Sequence, residues 1–320
     1  MSDRQTGGVM KTIRFQRYGE PADVLRLEEA TVPSPAAGQV RVRVHACGLN
    51  PADWALCRGL FAGDLPRGVG LDVSGTVDAL GEGVSDVQVG DLVLGVPDFR
   101  GYASAGASDY AILVVWTPVP DGLDPIEAAA LPMAVETAFR CVDALGVAAG
   151  NTLLIYGAGT MVGFAAVQMA LMRDARVIAA AGETFAAELR GMGAAVTPYG
   201  EGMVERVLEI CGGAPDLIFD AGPISGALPD LVQIAGGDAR RVLTVSNHGP
   251  AADELGVRNS FSPLRYEALG EFAKLAAQGR FKVPVARTFP FDDWREALGA
   301  SQSGRAHGKL VLLPDASAMG

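Results

Sequence analysis

The sequence predicts an α/β protein, with a mostly-β domain followed by a doubly wound parallel sheet. Three observations carry this. Up to about Pro118 the chain reads as short alternating strands separated by Gly- and Pro-rich turns, with no 3.6-residue repeat of any length. From Thr152 onward short apolar runs alternate with helical stretches, the pattern of a parallel sheet with crossover helices. At the junction, Thr152–Met172 (TLLIYGAGTMVGFAAVQMALM) reads strand, glycine turn, helix, without one charged residue.

In that stretch Leu153–Tyr156 is the strand, Gly157-Ala158-Gly159 the turn, and Thr160–Met172 the helix. This order aims a helix N-terminus, with its free N–H groups and positive dipole end, at a phosphate. Gly157 permits the tight turn, Gly159 a close approach of backbone to pyrophosphate, and Gly163 close packing of helix on strand. Gly157, Ala158, Gly159, Thr160, Met161 and Val162 are therefore candidate cofactor-binding residues. A membrane span over Asn151–Met172 is the rival with a GxxxG pair, but the glycines divide it and a second strand follows at once. A buried strand–helix–strand unit without ligand is the plainer alternative.

In order, strands are expected at Thr12–Arg17, Val40–His45, Asp72–Leu80, Leu92–Val96 and Tyr110–Val115. Pro125 opens a helix and Val135–Leu145 forms another. Then come Leu153–Tyr156, helix 160–172, Arg176–Ala181, helix 184–192, Val196–Tyr199, helix 202–211, Asp216–Asp220, helix 225–235 and Arg241–Ser246. Helix 263–279, strand 284–289, helix 291–302 and strand 309–313 close the chain.

The 320 residues suffice for two domains, and 49% hydrophobic with 20% charged residues is a globular composition. A net charge of −11 with only four lysines (Lys11, Lys274, Lys282, Lys309) argues against nucleic-acid or anionic-membrane partners. Cys47, Cys57, Cys141 and Cys211 are scattered and form no CxxC pair, so they read as inert thiols in a reducing cytoplasm. Met1–Val9 has no apolar core, so no signal peptide is expected.

Several stretches in a fixed order carry a resemblance: YGEPADVLRLEE (18–29), VHACGLNPADW (44–54), GLDVSGTV (70–77), AALPMAVETAF (129–139), YGAGTMVGFAAVQMA (156–170), LIFDAG (217–222) and HGKLVL (307–312). Together they resemble the medium-chain dehydrogenase/reductase superfamily, most closely its zinc-free quinone oxidoreductase (zeta-crystallin-like) branch. The resemblance implies a GroES-like domain at 10–122, completed by 263–320, and a Rossmann domain at 123–262. It also implies a small-molecule substrate and a homodimer paired through the dinucleotide domains, for which Arg241–Ser246 is the candidate edge strand.

Zinc-dependent members place a cysteine ligand where this chain has Asn50, and a histidine within the segment that here reads Gly70-Leu71-Asp72. Leucine binds no metal and an amide is a poor zinc ligand, so no metal site is expected. His45, His248 and His307 share no ligand spacing. The resemblance then implies hydride transfer from NADP(H) to a quinone or an α,β-unsaturated carbonyl, which accept it without a Lewis acid. An enoyl-thioester or secondary-metabolite enoyl reductase is the alternative; a nucleotide-binding structural or sensor protein without turnover is the alternative of another class.

The resemblance places Asn50 near the nicotinamide ribose (a turn-forming Asn before Pro51 being the plain alternative). It places Thr137, at a helix start, against the cofactor (alternatively an N-cap), and Val245, Ser246 and Asn247 at the carboxamide. Asp220 and Ala221 of LIFDAG belong to the same set. Lys309 sits toward the cofactor's end, or is a solvated surface lysine. At the end of the second strand an acid would mark NAD(H); Ala181-Gly182 there leaves room for a 2′-phosphate, and Tyr199 matches a tyrosine that helps hold it. Glu183, near where NADPH-specific relatives carry a lysine, counts the other way, since it would repel that phosphate or accept from a ribose hydroxyl. On Ala181-Gly182 and Tyr199, NADP(H) is the expectation and NAD(H) the lesser one. Trp54-Ala55 replaces the residue that often donates a proton, leaving water or Tyr18.

Overall fold

A computed structural model describes residues 8–247, 249–260 and 263–314. His248 and the expectations attached to residues 1–7 and 315–320 lie outside the described residues. The chain divides into two compact units, one running to Met133 and resuming at Leu269, the other spanning Ala134–Ala268.

The first unit opens with β1 (Val9–Phe15), α1 (Pro21–Val24), β2 (Leu25–Thr31), β3 (Val40–Leu49), α2 (Pro51–Cys57), β4 (Arg67–Gly68), β5 (Asp72–Leu80), β6 (Leu92–Pro97), β7 (Tyr110–Pro118) and α3 (Pro125–Ala128). The helix α4 (Pro132–Leu145) carries the chain across the unit boundary. The second unit then holds β8 (Thr152–Tyr156), α5 (Met161–Met172), β9 (Arg176–Ala180), α6 (Glu183–Gly191), β10 (Ala195–Thr197), α7 (Met203–Cys211), β11 (Leu217–Asp220), α8 (Leu228–Ile234), β12 (Val242–Thr244), α9 (Pro250–Leu255) and β13 (Arg258–Asn259). The return to the first unit is α10 (Leu269–Ala277), β14 (Val285–Pro290), α11 (Trp294–Gln302) and β15 (Lys309–Leu313).

The first unit is built on a six-stranded sheet ordered β14-β15-β3-β5-β6-β7, and an extra β3–β7 pairing curls it toward a barrel. β3 shows why. Val40, Val42 and Val44 point inward while Arg41 and Arg43 point out, as half-buried pleating requires. From Ala46 to Leu49 every residue is buried, because β15 and α3 cover the second face. A three-stranded sheet, β2-β1-β4, packs Ile13, Phe15 and Leu25 into the same core.

The front of the chain is not purely β. α1 and α2 were unexpected, and α2 is the consequential one: Asn50 is its N-cap, Pro51 its first residue, and Asp53 the N3 acid that accepts from the Asn50 N–H at 2.7 Å. Proline at N1 and an acid at N3 are helix-start signals short enough to be lost in a segment without periodicity. The first unit also continues past residue 122 to Met133, because α3 lies on β3 and β5, where the Ser74 hydroxyl donates to the Pro125 carbonyl at 2.6 Å.

The second unit is a parallel sheet ordered β10-β9-β8-β11-β12-β13. Read in chain order this is third, second, first, fourth, fifth, sixth, the doubly wound arrangement with its switch point at β8. Leu153–Tyr156 is buried on both faces, which explains the unbroken apolar run. Three expectations need correction. Thr137 lies inside α4, not at a helix start, since Pro132 begins that helix five residues earlier. The strand expected at Arg241–Ser246 is the shorter β12 and is not an edge, because β13 pairs with it. The helix expected from residue 263 begins at Leu269.

Gly157 and Gly163 fix the first β–α turn. Gly157 has φ 77°, and a Cβ there would lie 2.4 Å from the Gly222 backbone. A Cβ on Gly163 would lie 2.2 Å from the Gly157 carbonyl oxygen, so α5 rests directly on the turn. Gly163→Ala is expected to lower stability by about 1–3 kcal/mol through overpacking. Gly191→Ala, helical with nothing within 4 Å of the new methyl, is expected to raise it by up to about 1 kcal/mol. Urea denaturation of both variants checks the contrast.

Candidate active site

Three strands bring the first unit's polar cluster together. β3 runs between β5 and β15, with Gly48 opposite Asp72 and Leu49 opposite Leu310. The residue after β3, the first of β5 and the first of β15 therefore converge: Asn50, Asp72 and Lys309. Lys309 Nζ donates to Asp72 Oδ2 and to Asn50 Oδ1, both at 2.6 Å. Asn50 Nδ2 donates to the same Asp72 oxygen at 2.9 Å, and Asp72 Oδ1 accepts from the Met133 N–H at 2.8 Å. Gly48 makes this possible, because a Cβ there would sit 2.8 Å from Lys309 Cε and 2.2 Å from the Ala129 carbonyl.

The cluster is buried: Asp72 is 0% exposed, Lys309 3% and Asn50 6%. Lys309 is thus not a solvated surface lysine. Its ammonium is compensated by a carboxylate and an amide oxygen, and such a network holds its place only while every member is satisfied. Asn50 is more than a turn residue, since both ends of its amide are engaged.

Asp53 forms a second tier. Its carboxylate accepts from the Asn50 and Gly70 N–H groups, both at 2.7 Å. Complete burial pushes its pKa up to about 7, against those two hydrogen bonds and with a further push from the Asp72 charge. In the unfolded chain an aspartate titrates near ~3.9. Across the interval between these values the folded state binds the proton and the unfolded state does not, so the Asp53 contribution to stability falls as pH rises through it.

Tyr18 belongs to the first unit as well. Its hydroxyl donates to the Gly63 carbonyl at 2.8 Å and accepts from the Gly63 N–H at 2.7 Å. The Gly63 contact leads the causes that hold its pKa below the ordinary phenol value. Cys47, Cys57 and Cys141 are buried, and burial raises the last two thiols to about 12 and about 11, so none is an activated nucleophile. His45 Nε2 meets the Thr76 hydroxyl at 2.7 Å and His307 is exposed. No group of three or more His, Cys, Asp or Glu residues suited to a metal occurs among the described residues.

The second unit gathers the remaining candidates, Thr137 of α4 apart, near the carboxyl ends of its strands. Thr160 caps α5: its hydroxyl accepts from the Gly163 N–H at 3.0 Å and donates to the Ala221 carbonyl at 3.1 Å. Helix geometry leaves the Met161 and Val162 N–H groups without an intrahelical acceptor. A Cβ on Gly159 would touch only the Phe185 ring, at 3.7 Å, so no protein contact demands glycine there. Free amides in front of a bare glycine fit a diphosphate.

Asp220 is buried at the end of β11 and accepts from Gly222 N–H (3.1 Å), Thr244 Oγ1 (2.8 Å) and Asn247 Nδ2 (2.6 Å). It fixes the ends of β11 and β12, where Val245 N–H bonds the Asp220 carbonyl and the Ser246 hydroxyl bonds the Gly222 carbonyl. Beyond β9, Ala181 is buried, Gly182 caps α6, and Glu183 is exposed at its first position. Tyr199 is 55% exposed, and its hydroxyl would lie 3.3 Å from a Cβ on Gly182. Thr137 is buried and donates to Glu136 Oε2 at 3.1 Å.

Among known proteins, residues 36–114 match the family described as alcohol dehydrogenase GroES-like domain, and residues 191–312 match the family described as zinc-binding dehydrogenase. The chain belongs to the medium-chain dehydrogenase/reductase superfamily. It is 34% identical over 180 residues to the quinone oxidoreductase of Rattus norvegicus, 54% of this chain and 53% of that one. It therefore spans about half the length of that protein and of the other mammalian quinone oxidoreductases it matches. The 2-methylene-furan-3-one reductase of Solanum lycopersicum is 28% identical over 95% of this chain and 79% of that one. The solved quinone oxidoreductase of Coxiella burnetii superposes with a TM-score of 0.83 and 25% identity, over 96% of this chain and all of that one. Superfamily members of this kind are oxidoreductases that bind a nicotinamide dinucleotide, and the fold is α/β, with GroES-like and Rossmann parts.

Sequence reasoning missed Asp72 and Asp53. Each had a signal: Asp72 is a single acid opening the apolar strand DVSGTV, and Asp53 stands three residues after an Asn-Pro helix start.

Lys309→Met is expected to lower stability by about 3–5 kcal/mol, because it strands the buried Asp72 charge. The double variant Lys309→Met/Asp72→Asn is expected to recover part of that loss, read by urea denaturation. Asp53→Asn costs one amide hydrogen bond, about 1–2 kcal/mol. It is also expected to flatten the fall in stability between pH 5 and pH 7, at most about 1.4 kcal/mol per pH unit for one carboxyl.

Proposed function

We propose that the chain is a zinc-independent reductase that passes hydride from NADPH to a quinone or an α,β-unsaturated carbonyl. The observation that carries this reading is the Lys309–Asn50–Asp72 cluster. Where zinc-dependent members place a cysteine ligand, the Asn50 amide is committed to an ammonium and a carboxylate. Where they place a histidine, Leu71 is buried in the core. This donor set does not fit zinc, and no step is routed through a metal.

A bound nicotinamide supplies the hydride. The residues supply position. The Met161 and Val162 amides at the start of α5 would hold the diphosphate, Tyr199 beside Gly182 the 2′-phosphate, and the backbone of Val245–Asn247 the carboxamide. Asn50, its amide fixed at both ends, would meet the ribose. Thr137 and Ala221 would line the second unit's part of the cofactor site. Asn50, Asp72 and Lys309 form a dry, preorganised polar wall, which stabilises developing charge without reorganising. Tyr18, with its hydroxyl lowered toward acidity by Gly63, or water, returns the proton to the reduced product. The quinone and furanone reductases among the relatives support the two acceptor classes. We place the enzyme in the cytoplasm as a homodimer; no described helix is long and apolar enough to cross a membrane.

NADPH is expected to bind at least tenfold tighter than NADH, about 1.4 kcal/mol, with Tyr199→Ala erasing most of that margin. Fluorescence titration of both nucleotides checks it; tighter NADH overturns the NADPH assignment, and binding without oxidation by benzoquinone or an enone overturns the reductase.

A further inference from the structure

The loop after α2 carries an exposed, fixed aromatic group that the reading above does not use. Phe61 is 47% exposed and has φ 52°, a left-handed conformation that a bulky residue seldom adopts and that its surroundings must hold. Arg67 holds it. This arginine is only 3% exposed, and its guanidinium donates to the Phe61 carbonyl at 2.6 Å and to the Phe99 carbonyl at 3.2 Å. One buried side chain thus ties two loops together, and the two rings meet with centroids 6.1 Å apart.

The second loop is also fixed. Asp98 Oδ1 accepts from the Gly101 N–H at 2.8 Å, and Asp98 Oδ2 accepts from Gln39 Nε2 at 3.0 Å. Between them stands Arg100, exposed, its guanidinium 4.7 Å from the Phe61 centroid and 5.4 Å from that of Phe99. Several arginines of this acidic chain pair with carboxylates, as Arg41 does with Asp78 and Arg58 with Glu20. Arg100 has no such pair among the described residues, and Asp98, the nearest acid in sequence, is spent on backbone and Gln39. A planar cation stacked on two rings keeps its in-plane N–H donors for an anion.

We propose that Phe61, Phe99 and Arg100 form a receptor for a flat ring bearing an anionic substituent, so that the preferred acceptor is an anionic aromatic or quinoid molecule. The ring packs on the exposed part of Phe61, and the anion takes the Arg100 donors. As a statement about substrate this rests on the reductase reading; as a statement about binding it does not.

Two measurements on the full chain test it. In calorimetry, naphthalenesulfonate is the probe: wild type is expected to bind it, and Arg100→Ala to weaken binding about fivefold at low ionic strength. Phe61→Ala is expected to weaken naphthalenesulfonate binding as well. No binding to wild type, or equal binding by Arg100→Ala, overturns the receptor. In steady-state assays with NADPH, wild type is expected to favour a naphthoquinone sulfonate over the neutral naphthoquinone, with Arg100→Ala collapsing the ratio of kcat/KM about fivefold. Turnover of both quinones with an unchanged ratio overturns the anionic preference and leaves the reductase standing. Arg100-dependent binding without turnover of either quinone supports the receptor and overturns the reductase.

Discussion

An ammonium held between a carboxylate and an amide, out of contact with water, is the constraint on which the first unit depends. Lys309 opens the last strand, Asp72 opens β5, and Asn50 closes the step from β3 to α2. Their hydrogen bonds at 2.6 Å and 2.9 Å therefore join two points in the first quarter of the chain to its last strand. Burying these charges costs free energy that apolar packing would not. The cluster's use is in what it fixes: an amide whose orientation cannot drift, at the head of a helix.

The second unit solves a different problem with fewer polar groups. α5 carries no charge and its residues Gly163–Ala170 are buried, so its N-terminus is aimed chiefly by packing. Gly163 sets how closely the helix sits on the turn, Thr160 uses its hydroxyl to tie the cap to β11, and Asp220 gathers three donors to hold the neighbouring strand ends. Thr160 is therefore a brace, and in the proposed reading a diphosphate would be left to backbone amides. A threonine–methionine pair after the glycine turn is compatible with that proposed division, because Met161 and Val162 would contribute main chain only.

Much of this was legible beforehand. Alternation of apolar runs and helices located five of the six parallel strands, and the glycine turn located the switch point, because both follow from local periodicity. What stayed hidden was non-local or short. The burial of Lys309 depends on the absence of a side chain at Gly48, 261 positions away; nothing in HGKLVL itself separates a core lysine from a surface one. α2 escaped because seven residues give no helical period, although its Asn-Pro-x-Asp start was readable. β13 escaped because two residues are too few to register as a strand, and its pairing moved the sheet edge away from β12.

The two loops that carry Phe61 and Arg100 are the least legible part. Their aromatic and basic residues are scattered in sequence, and it is the buried Arg67, with the ring contacts, that brings them together. If the cluster around Lys309 stands where other superfamily members keep a metal, turnover owes nothing to zinc. Metal analysis of purified protein that is oxidising NADPH with a quinone tests this most directly. The account predicts zinc far below one atom per chain and no loss of rate after dialysis against a chelator; stoichiometric zinc whose removal abolishes turnover would contradict it.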